Sequence, residues 1–121
     1  MNQTPHSYAE SFIAEDAVKI AARARGNELG AIDATQGTGA YLRHLAHQLN
    51  AQSVVEIGTG SGVGSLWLLE GMLSSGTLTS IDANLPKILN CREKYLAESA
   101  GGEIEGFICL KRRSTASFRS V

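Results

Sequence analysis

The residues best placed to do chemistry lie between 53 and 65, in the run SVVEIGTGSGVGS. Gly58, Gly60, Gly62 and Gly64 stand at alternate positions after the β-branched segment Val54, Val55 and Ile57, and Glu56 lies two residues ahead of the first glycine. Glycine admits positive φ and lets a ligand come close where a Cβ would collide. An apolar segment, LWLLEGML, begins at Leu66. The glycines therefore sit where a buried strand turns into a helix, and the first helical amides point outward as donors. Such a junction accepts a nucleotide-like ligand against bare main chain. Residues 77–82 (TLTSID) read as a further strand ending in Asp82, 24 residues beyond Gly58. A carboxylate at the carboxyl end of the second strand of a βαβ unit can accept hydrogen bonds from both hydroxyls of a ribose. The structural alternatives are a ligand-free βα turn and an acid that caps a helix or ends a solvated strand. A ligand-free turn rarely needs so many glycines.

The spacing argues against a dinucleotide. The pattern G-x-G-x-x-G counted from Gly58 requires glycine at the place of Val63, and counting from Gly60 fails as well. The chain instead reads E-x-G-x-G-x-G. In that spacing and in the continuation VVEIGTGSGVGSLWLLEGM it resembles class I S-adenosylmethionine (SAM) methyltransferases, and within them the bacterial O-methyltransferases related to catechol and caffeoyl-CoA methyltransferases. The likeness extends over residues 36–100. It implies a SAM site drawn from Glu56, Gly58, Thr59, Gly60, Gly62, Gly64, Ser65, Asp82 and Ala83. Gly58 and Gly60 would admit the methionine part, Gly62, Gly64 and Ser65 would shape the helix start, Asp82 would hold the ribose, and Ala83 would pass near the adenine. Glu56 would stabilise the methionine amino group, directly or through water; the structural alternative is a buried acid satisfied by turn amides. The family's serine near the first helical turn stands where Gly64 stands here, so its contact with the methionine carboxylate falls to Ser65 or to helix amides alone. The loop near Ala34 would add backbone to the pocket. A divalent cation belongs to the resemblance too, but this sequence offers no candidate ligands for it.

Several elements must position these groups. Residues 7–25 place Phe12, Ile13, Ala17, Ile20, Ala21 and Ala24 at helical spacing, which predicts one amphipathic helix with Ser7 and Glu10 as a capping box and Gly26 with Asn27 as its stop. A loop over 28–37 follows, then a helix over 38–49 with Leu42, Leu45, Ala46 and Leu49 on one face. His44 and His47 flank that face without an acid or cysteine nearby, and are expected in solvent rather than on a metal. Trp67 and Met72 are expected in the core. A helix over 87–100 and a strand over 103–110 complete a parallel, Rossmann-like α/β half of three strands, spatial order 3-2-1, with N-terminal helices. The resemblance implies that those helices cover the sheet and often help form a homodimer.

With 121 residues, 43% hydrophobic and 19% charged, the chain is expected to be one soluble domain. It shows no signal-peptide pattern and no apolar run of membrane-spanning length, which points to the cytoplasm. Cys91 and Cys109 have no C-x-x-C spacing and read as free thiols. The net charge of −1 hides a body of −5 over residues 1–110 and a tail of +4 over 111–121. The tail, KRRSTASFRSV, is expected to be disordered; its Lys111, Arg112, Arg113 and Arg119, with no aromatic platform beside them, make a weak case for nucleic acid. The resembling enzymes continue into a catalytic half of a seven-stranded sheet, so the expectation is a truncated or frame-shifted O-methyltransferase acting on a small-molecule hydroxyl. The alternative is a non-catalytic SAM-binding fragment or interaction module.

Overall fold

The computed structural model describes residues 4–82 together with the backbone of a strand over 107–111. Ala83, the helix expected over 87–100 with Cys91, the start of the third expected strand, and the tail beyond Lys111 lie outside the described residues.

The N-terminal segment is two helices, not the single one expected. Helix α1, Pro5–Ser11, has proline in its first turn, and the Thr4 side chain accepts from the Ser7 amide. Helix α2, Ala17–Glu28, starts anew because extended Asp16 caps it, accepting from the Lys19 amide at 2.9 Å. The expected capping box is replaced by Thr4, and Glu10 reaches across to accept from the Gly37 amide at 2.9 Å and the Thr35 hydroxyl at 3.0 Å. Gly26 and Asn27 do not stop α2; Gly26 lies buried inside it, and the chain turns at Gly30, φ +62°. The buried face is also different: Lys19, Ala22 and Gly26 go inward, while Phe12, Ala17, Ile20 and Ala24 are exposed. Ala22 and Gly26 suit that face because α2 lies close against its neighbours, and Lys19 joins them with its ammonium paired to Asp16 and Glu70.

Helix α3, Gln36–Gln48, is capped by Thr35 and buries Gly39 and Ala46, with Leu45 and Leu49 of the expected stripe exposed. Strand β1, Ser53–Ile57, leads through the glycine turn into α4, Val63–Gly71, and then into β2, Thr77–Asp82. The two strands pair in parallel from Ser53 opposite Thr77 to Ile57 opposite Ile81. Strand β3, Phe107–Lys111, lies parallel beside β2, with Leu78 opposite Phe107 and Asp82 opposite Lys111. Side chains alternate across a strand, so β1 is not buried on both faces as its composition suggested. Val54 packs toward the helices, while Val55 and Ile57 on the other face are exposed.

Among the described residues the core has two clusters, one holding Trp67 and the other Met72, both expected there. Ala22, Val63 and Trp67 join α2 to α4, and Ala46, Met72 and Leu78 join α3 to the sheet. Glycines set the spacing between α3 and α4. A Cβ at Gly39 would lie 2.1 Å from the Trp67 ring, and one at Gly71 would lie 2.2 Å from the Arg43 carbonyl oxygen. Gly39→Ala sets a helix-propensity gain of about 0.5–1 kcal/mol against an overpacking cost of about 1–3 kcal/mol. With the clash on a fully buried ring, overpacking should prevail, and urea denaturation should show the variant less stable than wild type; equal or higher stability would contradict this packing.

Candidate functional site

The site is built where β1, α4 and β2 converge. Gly58, Gly60 and Gly62 all have positive φ, +91°, +58° and +92°, so the turn that leaves β1 is one that only glycine adopts without strain. Gly62, which has no side chain to cap with, is the N-cap of α4. Gly64 lies within the first turn of α4, not in the turn proper, and a Cβ there would come 3.0 Å from Glu56 Oε1. Beside Gly58 the space is open among the described residues: an added Cβ would meet none of their heavy atoms within 4 Å. Bare main chain next to open space is the cradle an adenosyl ligand would need.

Two carboxylates hold the turn's amides. Asp82 Oδ2 accepts from the amides of Thr59 at 2.9 Å and Gly60 at 3.2 Å, which brings the acid of the second strand to the glycines as the sequence spacing suggested. Asp33 takes the next residue: its Oδ1 accepts from the Ser61 amide at 2.9 Å and its Oδ2 from the Ser61 hydroxyl at 2.7 Å. Asp33 and Ser61 were not singled out in the sequence. A lone acid in a loop 28 residues away gives no spacing signal; only its place just before a helix that flanks the glycine turn could have drawn notice.

Beneath the turn runs a chain of hydroxyls. Ser80 Oγ donates to Glu56 Oε2 at 2.6 Å, and Ser65 Oγ donates to the same oxygen. Because Ser80 has one hydroxyl proton and spends it on Glu56, Thr59 Oγ1 must donate to Ser80 across their 2.6 Å contact. Ser65, Ser80 and Thr59 are all buried. Glu56 Oε2 is therefore met by hydroxyls from α4 and β2, where the buried-acid alternative anticipated turn amides. Burial pushes the Glu56 carboxyl above the usual range, and the Ser65 and Ser80 donors only partly oppose it. The serine that was a candidate for the methionine carboxylate is thus committed below the turn, as is Ser80, which sequence reasoning had not noted. Ala34, expected to lend backbone to the pocket, has its carbonyl bonded by the Arg23 guanidinium at 2.8 Å. His44 and His47 are exposed on α3. Among the described residues no group of three or more His, Cys, Asp or Glu is placed to hold a metal ion, and no helix is long and apolar enough to cross a membrane.

A protein from Mycobacterium sp. (strain KMS) carrying the name "Putative O-methyltransferase" is 50% identical over 76 residues, spanning 63% of this chain and 34% of its own length. A namesake from Mycobacterium leprae is 41% identical over 96 residues, 79% of this chain and 42% of its own. The chain is related to O-methyltransferases. It spans well under half the length of these relatives and matches their N-terminal part. The fold also matches the O-methyltransferase from Bacillus cereus, solved in complex with SAH, with a TM-score of 0.73 at 18% identity over 88% of this chain and 48% of that one. No protein-family model matches. The fold is thus the α/β, Rossmann-like one of methyltransferases.

The raised carboxyl of Glu56 has a pH consequence. The folded protein holds that proton more tightly than the unfolded chain, so the associated stability is complete below the ordinary value of 4.5 and is lost as pH rises through the folded value. Glu56→Gln keeps an acceptor for both serines and cannot ionise. Denaturation at a series of pH values should show the variant gaining on wild type as pH rises from 4.5 toward 7; curves that stay parallel would remove the burial argument.

Proposed function

We propose that this chain carries the SAM-binding part of an O-methyltransferase that methylates a hydroxyl of a small-molecule acceptor in the cytoplasm. The observation that carries the reading is the contact of Asp82 with the Thr59 and Gly60 amides, which joins the acid-ended strand to the glycine turn in one site. In this reading Gly58 and Gly60 let main chain lie against the methionine part, with Thr59 between them. Gly62 and Gly64 open the start of α4, whose positive end and amides suit the methionine carboxylate. Asp82 holds the ribose hydroxyls and Ala83 passes near the adenine. Glu56 and Ser65 serve from beneath, by fixing the turn and the helix start; their hydrogen bonds support that role better than direct contact. SAM bound there supplies a methyl group on a sulfonium, taken in line by the acceptor oxygen.

The parallel pairing of β1 with β2 and of β2 with β3 supports a half-sheet of order 3-2-1 within the seven-stranded fold. The named relatives support the transfer to oxygen. A divalent cation remains part of the family expectation for the whole enzyme, and no step here passes through one. Exposed Tyr8 and Tyr41 on the N-terminal helices, with Phe12 and Leu49 at helix ends, support association as a homodimer.

Calorimetry should show SAM binding and no NAD binding; the reverse would end this reading. Asp82→Ala should weaken SAM by about 1–3 kcal/mol through loss of charged hydrogen bonds, and an unchanged affinity would remove Asp82 from the site. Methyl transfer to a catechol with magnesium separates an enzyme from a SAM-binding module without catalysis.

A further inference from the structure

We infer that Asp33 is a positioning residue of the cofactor site, a carboxylate that sets the third amide of the glycine turn without touching the ligand; this rests on the SAM reading above. Three observations converge on it. Asp33 grips Ser61 twice, at the amide and at the hydroxyl, and Ser61 is buried. The carboxylate also lies directly against the turn: a Cβ at Gly60 would come 2.8 Å from Asp33 Oδ1. Finally, α2 makes room for it. A Cβ at Gly26 would lie 2.0 Å from Asp33 Oδ2 and 3.0 Å from the Ser61 side chain, so glycine is needed in the middle of a helix that would otherwise favour alanine.

The consequence is a division of labour between two acids. Asp82 anchors Thr59 and Gly60 from the sheet side, and Asp33 anchors Ser61 from the loop ahead of α3. With both in place the three successive residues are pinned from opposite directions, and the turn keeps its φ values before any ligand arrives. Without Asp33, Ser61 would lose two bonds to a charged acceptor, and glycines on either side would let the turn relax into other conformations. Ligand binding would then have to restore the order, and affinity would fall.

Three variants of the whole chain test this, by calorimetry with SAM alongside thermal unfolding and amide exchange. Asp33→Ala should weaken SAM about tenfold, a loss expected when hydrogen bonds to a charged group are removed, and should speed exchange of the Ser61 amide. Asp33→Asn keeps an acceptor for the amide and a group that can pair with the hydroxyl, so it should stay within about threefold of wild type. Gly26→Ala retains the carboxylate but pushes it off Ser61, and should weaken SAM as Asp33→Ala does while leaving α2 helical. If Asp33→Ala binds SAM like wild type, or if Asp33→Asn is as weak as Asp33→Ala with unfolding midpoints alike, the inference is overturned and the SAM reading stands. If wild type itself takes up no SAM, both fail.

Discussion

Where β1 ends, successive backbone amides leave the ladder of the sheet before the helix can receive them, and they must find acceptors elsewhere. Carboxylates from distant parts of the chain supply these. Asp82, at the end of β2, takes the amides of Thr59 and Gly60, and Asp33, in the loop ahead of α3, takes that of Ser61. This one requirement explains much of the arrangement. β2 must run parallel to β1 and end level with it so that Asp82 meets the turn, which the register from Ser53–Thr77 to Ile57–Ile81 ensures. Helix α2 must come close enough for its Gly26 to border both Asp33 and Ser61. The N-terminal helices are thereby part of the site's support and not merely a cover over the sheet.

Below the same turn, burial and polarity are reconciled by hydroxyls. A carboxylate enclosed by protein is costly unless hydrogen bonds meet it. Glu56 receives Ser65 from α4 and Ser80 from β2, and Thr59 extends the chain upward into the turn. Strand, helix and second strand meet at one oxygen of Glu56, and the turn joins them through Ser80. The buried-acid alternative for Glu56 anticipated turn amides, and it is serines that meet its Oε2.

The glycine turn, the strands on either side of it, α4 and the core positions of Trp67 and Met72 were legible in the sequence because each depends on residues adjacent in the chain. Positive φ at Gly58, Gly60 and Gly62 is what alternate glycines are for, and Asp82 falls where the βαβ spacing puts it. What escaped depends on distant partners. The N-terminal stretch has continuous helical periodicity, but Asp16 caps a new helix and Glu15, just ahead of it, turns to Arg23 and Trp67. Periodicity cannot see such a break, because a cap leaves the apolar spacing unchanged and the partners of Glu15 lie 8 and 52 residues further on. Asp33 and Ser80 were unreadable for the same reason, and Gly26 looked like a helix stop because its real purpose, admitting a side chain from another loop, leaves no local mark.

The setting of Trp67 carries one more implication. It is the chain's sole tryptophan, fully enclosed, with the Lys19 ammonium 4.6 Å and the Arg43 guanidinium 5.3 Å from its ring, and its indole nitrogen directed at Glu15. Three helices thus converge on a single fluorophore in the helix that the glycine turn opens. Its emission is an intrinsic optical reporter: any loosening of α2 or α3 from α4 would admit water to the indole and shift its colour to the red, with no label attached.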